Sequence, residues 1–143
     1  MPMADFFQWN GSTDTGAAYI TSVRGTPIVV VSATLTATLT TDTTYTSAAT
    51  SLLEFNAIMV QTILGSQTGA KTLTTISGAM SSGGTMVPLY DKDFSAQMTT
   101  GAISSSRTQK FIGLTDYLGF STTFSAGATA GSSFSITIQP LNL

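Results

Sequence analysis

The feature of this sequence that most constrains its fold is a strict alternation of threonine with apolar residues. Between Thr34 and Thr40 every second residue is Thr, and the residues in between are Leu or Ala. Successive side chains of a β-strand point to opposite faces of the sheet, so this pattern predicts a strand with one hydroxyl face and one apolar face. Three valines at residues 29–31 come first, and β-branched side chains favour extended backbone. We therefore predict a strand within residues 27–41.

A second alternation predicts a strand near the end of the sequence. Phe134, Ile136 and Ile138 face one way and the polar residues between them face the other, with Pro140 ending the strand. Three further segments have the composition of strands: residues 18–23, 111–114 and 117–124. Short strands separated by glycine-rich turns predict an all-β fold, an antiparallel β-sandwich or jelly roll.

Residues 51–64 are ambiguous between helix and strand. A serine and a glutamate begin the segment at the spacing of a capping box. Four apolar residues follow at helical spacing: Leu52, Phe55, Met59 and Ile63. A strand would instead place Leu53, Phe55 and Ala57 on one face. One short helix near residues 51–64 is therefore an open alternative within an otherwise all-β chain.

The length of 143 residues fits a single domain. Residues 1–12 contain the aromatic side chains of Phe6, Phe7 and Trp9, and we interpret them as an apolar N-terminal arm. The arm packs either on its own core or on a neighbouring molecule. Residues 13–143 then form one β-sandwich domain. No stretch reaches the roughly 20 consecutive apolar residues of a membrane helix, so we expect no membrane partner.

Ionisable side chains are scarce, and their scarcity excludes several classes of chemistry. Charged residues make up 8% of the sequence, five Lys or Arg and seven Asp or Glu, and there is no His and no Cys. Such a chain cannot build a Ser-His-Asp triad, a thiolate nucleophile or a His- or Cys-ligated metal site. Five scattered cations do not form the basic patch that nucleic-acid binding requires. We expect no enzymatic activity and no cofactor, metal or nucleic-acid partner.

The abundance of hydroxyl residues indicates a different kind of surface. The sequence contains 27 Thr and 18 Ser, and desolvating a hydroxyl group costs less than desolvating a charge. Because interface cores are depleted in charged residues, a nearly uncharged surface favours permanent assembly. The alternative is an ordinary sheet exterior that hydroxyl groups keep soluble.

Two pairs of charged residues are candidates for binding. Arg107 and Lys110 are close in sequence, and we predict that they anchor the chain to an acidic partner surface, although a solvated loop fits them equally well. Asp91 and Asp93 have the spacing of a weak divalent-cation site or of a solvated turn, and we favour the turn. Tyr90 beside Asp91 leaves a carbohydrate-binding module as a less favoured interpretation.

Three segments resemble the small capsid cement, or decoration, proteins of tailed bacteriophages. Residues 34–47, TLTATLTTDTTYTS, resemble a strand that is followed by an Asp-containing turn and an aromatic-Thr-Ser step. Residues 110–114, KFIGL, are similar to the R-Y-[VL]-[GR]-L strand of that family. Residues 124–134, FSAGATAGSSF, resemble its closing glycine-rich turn and final strand. The resemblance spans residues 9–140, and the central residues 52–87 are longer and more apolar than the family pattern.

The resemblance implies a jelly-roll-like β-sandwich that binds the outside of the capsid and clamps neighbouring capsomers. It implies no catalytic residues. We therefore predict a structural virion protein whose partners are the major capsid protein and copies of itself, with a trimer as the expected homo-oligomer. The expected location is the virion capsid, after synthesis in the host cytoplasm. The alternatives are a small coat, tail or spike protein. Within this prediction Phe6, Phe7 and Trp9 contact a subunit or the shell, and Arg107 and Lys110 provide polar anchoring.

Overall fold

The computed structural model describes residues 24–65 and 71–143, which form nine β-strands and no helix. Every pairing between these strands is antiparallel. The strands are β1 (Ile28–Thr34), β2 (Thr43–Thr46), β3 (Thr50–Ser51), β4 (Ala57–Gly65), β5 (Thr72–Ala79), β6 (Val87–Pro88), β7 (Arg107–Ile112), β8 (Tyr117–Phe124) and β9 (Ser133–Leu141). They belong to two sheets packed against each other, so the predicted antiparallel β-sandwich is confirmed.

The chain passes back and forth between the two sheets. One sheet has four strands in the order β1-β9-β4-β7, and the other has the order β2-β8-β5-β6, with β3 also paired to β8. The chain changes sheet after β1, β3, β4, β6, β7 and β8. Two interlocked Greek keys of this kind form a jelly roll. This order places β4 and β9 in the middle of one sheet and β5 and β8 in the middle of the other.

The core lies between the sheets, and β8 and β9 supply much of it. Their inward side chains are at most 2% exposed: Leu118, Phe120, Phe124, Phe134, Ile136 and Ile138. Phe134 meets Phe124 and Tyr45 edge to face, with ring centroids 5.2 and 5.5 Å apart. This arrangement is favoured because the edge and the face of an aromatic ring carry opposite partial charges. Complete burial contributes roughly 1.5–3 kcal/mol for each such side chain.

The strand predicted within residues 27–41 is confirmed as far as Thr34 and ends there. Beyond it the amide of Leu35 donates a hydrogen bond to the carbonyl of Ser132, and the amide of Gly131 donates to the carbonyl of Leu35, both at 2.8 Å. The partner of this segment is a turn, in which Gly131 has a φ of 90° that favours glycine. Leu35 still points into the core, at 5% exposure. The alternation of side chains therefore continues beyond the last residue of β1 that pairs with β9.

The alternative helix near residues 51–64 is wrong. A turn follows β3, and β4 begins at Ala57. Ile58 and Val60 are at most 1% exposed, and β4 is hydrogen-bonded to β7 on one side and to β9 on the other. Pairing on both sides satisfies the backbone and buries side chains with a period of two, which outweighs the local helical spacing. The strand alternative was also incomplete, because Leu53 is 62% exposed.

The other strand predictions need small changes. The strand predicted at residues 117–124 is confirmed with the same bounds, as β8, and the one predicted at 111–114 is confirmed with different bounds, as β7. Pro140 lies inside β9 rather than after it, and its carbonyl accepts a hydrogen bond from the amide of Gly25 at 2.8 Å. The strand predicted at residues 18–23 and the arm predicted at residues 1–12 lie outside the described residues.

Threonine occupies core positions as well as the exterior. Thr62, Thr72, Thr74 and Thr122 are at most 1% exposed. The hydroxyl groups of Thr74 and Thr122 lie 3.1 Å apart and hydrogen-bond to each other. Thr72 Oγ1, in contrast, is buried and has no hydrogen-bond partner within residues 24–65 and 71–143. The alternation in the sequence suggested that hydroxyl groups lie only on the outer face. The structure shows that they also occupy the core.

Candidate interaction surfaces

The outward face of the five-stranded sheet is covered with hydroxyl groups. In β2, β5 and β8 the residues that alternate with inward-facing ones point away from the core, and most of them are Ser or Thr. We call this surface the hydroxyl face: Thr44, Thr46, Thr75, Ser77, Ser121 and Thr123. None of the five strands of this sheet contains a charged residue. The hydroxyl face is therefore a broad polar surface without charge.

Hydroxyl groups of this face bond to one another across strands. Oγ1 of Thr44 lies 2.8 Å from Oγ1 of Thr123, and Oγ1 of Thr46 lies 3.3 Å from Oγ of Ser121. Each pair is directly opposite in the register of β2 and β8. A hydroxyl group that already has a partner loses less when water is removed than one that depends on water. Another protein can therefore cover this face at a lower desolvation cost than it could cover a charged sheet exterior.

The four-stranded sheet carries charge at one edge. Strands β1, β4 and β9 contain no charged residue, whereas β7 contains both Arg107 and Lys110. These side chains lie on opposite faces of β7, because Arg107 pairs with the inward-facing Thr62 and Lys110 pairs with the outward-facing Met59. Nη1 of Arg107 donates to the carbonyl of Thr100 at 3.2 Å. The two predicted anchors are thus not brought together, and one of them ties β7 to the segment beside β5.

A loop between β6 and β7 is closed by a single carboxylate. Oδ1 of Asp91 accepts hydrogen bonds from the amides of Ser95 at 2.9 Å and Asp93 at 3.1 Å, and Oδ2 accepts one from the Ser95 hydroxyl at 2.9 Å. The bond from the Ser95 amide, followed by that from the Ser95 hydroxyl, favours the ionised carboxylate and lowers the pKa of Asp91 below its ordinary value of 3.8. Asp91 is therefore a structural part of this turn.

Phe94 stands at the tip of the same loop. Its side chain is 83% exposed, and its backbone φ is 57°. Left-handed backbone costs roughly 1–2 kcal/mol for a residue other than glycine. The exposed ring also leaves its apolar surface in contact with water. Both features are unfavourable in the isolated chain. Strained residues that display apolar side chains are typical of binding sites.

An open groove of about 410 Å³ lies between this loop and the edge of the four-stranded sheet. We call it the β7 groove. Three apolar side chains line it: Met98, Phe111 and Ile112. Three charged residues also line it: Asp91, Lys92 and Lys110. Ile112 is 51% exposed, so part of the apolar surface faces water. Apolar surface flanked by charges is a suitable site for a protein contact.

Sequence reasoning predicted the turn at Asp91 but missed Phe94. An Asp followed by Ser after four residues is a signal for such a turn, because short polar side chains bond to nearby backbone amides. That signal does not say which residue the turn exposes. Asp93 is paired with Lys92, its carboxylate 3.1 Å from Nζ, and the described residues hold no group of three or more potential metal ligands. With the Asp91 carboxylate engaged by the loop itself, nothing here favours a carbohydrate site beside Tyr90.

Three of the predicted contact residues, Phe6, Phe7 and Trp9, lie outside the described residues. Across residues 24–65 and 71–143, no helix is long and apolar enough to cross a membrane. No protein-family model matches the sequence, and no curated protein matches it. The resemblance to capsid cement proteins therefore stays a prediction.

Proposed function

We propose that this protein is a structural virion protein, a cement or decoration protein. It binds the outside of a shell of major capsid protein and stabilises the shell by clamping neighbouring capsomers. It acts as a homo-oligomer and carries out no reaction. The observation that supports this proposal most strongly is the hydroxyl face, a sheet surface with no charged residue in any of its strands.

The hydroxyl face supports a permanent contact because it can lose water at low cost. Its hydroxyl groups are partly paired with one another, at 2.8 and 3.3 Å, so they depend less on water. Charged residues are depleted at the centres of protein interfaces for the same reason. Many identical copies on a symmetric shell multiply a modest binding free energy per copy. A surface of this kind therefore suits a protein that works in large numbers on a regular lattice.

The size of the hydroxyl face indicates that it is not the whole contact. An eight-residue strand is about 26 Å long and neighbouring strands are about 4.8 Å apart, so the three strands that carry the hydroxyl face present at most about 370 Å². A stable interface buries about 800 Å² on each partner. We assign the remainder to Phe6, Phe7 and Trp9, with Arg107 as a polar anchor. Lys110 points outward from the other sheet, and we assign it to contacts between copies.

A small coat protein is the second candidate, and the strand order favours it. Jelly rolls with this arrangement are common among viral capsid proteins. In that case the same fold builds the shell instead of covering it. The two functions differ in what happens to the particle when the protein is removed.

The experiment is to purify particles from the source of the chain, measure the copy number of this protein, and strip it with mild denaturant. We expect a fixed ratio to the major shell protein, an intact shell after stripping, and a higher melting temperature of the particle when the full chain is added back. A shell that falls apart on stripping would identify a coat protein. A chain present in a few copies per particle, or absent from particles, would contradict the proposal.

A further inference from the structure

The loop that carries Phe94 and the β7 groove are adjacent parts of one surface, because Asp91, Lys92 and Gln97 of the loop also line the groove. We propose that Phe94 of one copy of this chain inserts into the β7 groove of a second copy. This contact rests on the part of the proposed function in which copies of the chain associate, and it names the residues that join them.

Phe94 has the properties of an inserted side chain. It is 83% exposed, and the turn that presents it is closed by three hydrogen bonds to the Asp91 carboxylate. Its left-handed φ of 57° is a conformation that bulky residues rarely adopt. A backbone that is ordered before binding loses little conformational freedom on binding. Aromatic residues of this kind are the ones that dominate interface energetics.

The β7 groove offers apolar surface that could cover the exposed ring of Phe94. A phenylalanine removes about 150–250 Å² from water when it is covered, and the groove of about 410 Å³ exposes apolar atoms of Met98, Phe111 and Ile112. Ile112, half exposed in the single chain, becomes covered when a ring enters. Insertion therefore buries apolar surface from both copies in one contact.

The charges beside the ring and beside the groove are complementary. Asp93 precedes Phe94, and among the described residues its one ion pair is with the neighbouring Lys92, in which both side chains are at least 70% exposed. Exposed pairs of this kind contribute little, so Asp93 is free to change partner. Lys110 lines the groove and makes no ion pair within the described part of the chain. An entering loop brings Asp93 toward Lys110, which fixes the orientation of the contact.

The same contact closes in either of two ways. A reciprocal contact, in which each copy inserts its own Phe94, forms a two-fold dimer. A head-to-tail contact closes a ring, such as the trimer expected from the sequence. The mass of the assembly identifies which of the two forms, and both require Phe94 and the β7 groove.

The test is sedimentation of the full chain alone over a range of concentrations, without capsid protein. We expect the unaltered chain to associate and Phe94→Ser to raise the dissociation constant at least about thirtyfold, the effect of losing an interface hot spot. Met80→Ser is the matched control, because Met80 is 82% exposed and lies outside this surface; it should leave association unchanged. Thermal unfolding of both variants verifies that each is folded.

Charge reversal gives the second arm of the experiment. Asp93→Lys and Lys110→Asp should each weaken association, and the double variant should restore it, because only a direct contact between the two residues produces rescue. The inference is overturned if the unaltered chain stays monomeric, if Phe94→Ser and Met80→Ser behave alike, or if the double variant remains weak. A monomeric chain that still binds particles would remove this contact and the homo-oligomer, and would leave the shell-binding part of the proposed function standing.

Discussion

The two surfaces that we propose for contact with another protein, the hydroxyl face and the Phe94 loop, have opposite properties. The hydroxyl face is broad and uncharged, and its hydroxyl groups are paired with one another. The Phe94 loop is small and concentrates a strained backbone, an exposed ring and three charged residues in a few positions. In the proposed contacts, the hydroxyl face gains a little binding free energy at each of several residues, and the Phe94 loop gains most of its binding free energy at one side chain.

This difference separates the two partners of the proposed function. A flat face with a low free-energy cost of desolvation suits a large, regular partner such as a shell. A protruding ring needs an apolar pocket, and we propose that the β7 groove of a second copy is that pocket. Changes on the hydroxyl face should therefore alter shell binding alone, and changes at Phe94 should alter self-association first.

The largest expected effect comes from a charge on the hydroxyl face. Ser121→Lys places an ammonium group on the middle strand of that sheet, and covering an unpaired charge costs several kcal/mol. The concentration that half-saturates stripped particles should rise at least about 100-fold. Titration of stripped particles with each purified variant measures this value.

Ser135→Lys is the control for this substitution. Ser135 is also a half-buried, outward-facing serine on a middle strand, but it belongs to the four-stranded sheet. We expect its binding to change less than about threefold, since an exposed charge costs little. Equal losses in the two variants would show that the hydroxyl face is not the docking surface.

A smaller effect is expected from backbone strain at Phe94. Phe94→Gly and Phe94→Ser both remove the ring, but glycine adopts the φ of 57° without strain. We expect the Gly variant to be more stable than the Ser variant by about 1 kcal/mol, or about 3 °C in melting temperature. Both should associate weakly. Equal melting temperatures would mean that the loop relaxes without the ring.

Two buried threonines beneath the hydroxyl face test whether a hydrogen-bond partner determines the effect of a buried hydroxyl group on the stability of the fold. Thr72→Val removes a buried hydroxyl that has no partner within the described residues and should stabilise the fold by about 1 kcal/mol. Thr74→Val leaves the Thr122 hydroxyl unpaired and should destabilise the fold by a similar amount. Urea unfolding of the two variants measures both. Destabilisation by both would contradict the role given to pairing.

The smallest effect concerns pH and the Asp91 loop. The pKa of Asp91 is lowered in the folded chain, so its contribution is complete above the unfolded value near 3.8 and is lost as the pH falls through the lower folded value. The Ser95 amide resonance should therefore titrate with a midpoint below pH 3.8. In Asp91→Asn that titration should vanish. A midpoint above 3.8 would mean that the carboxylate is not held by these bonds.

Much of the fold could be predicted from the sequence where apolar and polar residues alternate without interruption. The alternation of Phe134, Ile136 and Ile138 corresponds to a central strand with its buried face correctly assigned. The sequence left helix and strand open where pairing across the fold decided the outcome. Ile58 and Val60 lie in the core between the sheets, on a strand that pairs with β7 and β9, and no local spacing reveals those partners.

The candidate surfaces were less predictable than the fold. The low charge of the whole sequence suggested covered surfaces, but only the strand order shows that one entire sheet lacks charge. Arg107 and Lys110 are close in sequence, yet the period of a strand sends them to opposite faces. Phe94 was missed because exposure at a loop tip depends on the hydrogen bonds of the turn, which composition does not reveal.

The most direct test of the central claim uses the absence of cysteine from the sequence. Ser121→Cys and Ser135→Cys each introduce a single thiol, one on the hydroxyl face and one on the outward face of the four-stranded sheet. The rate of maleimide labelling is measured for each variant free in solution and bound to particles. We predict that particles protect the thiol of Ser121→Cys at least about tenfold and leave that of Ser135→Cys unchanged. Equal labelling of Ser121→Cys in the free and the bound state would contradict the claim that the hydroxyl face docks on the shell.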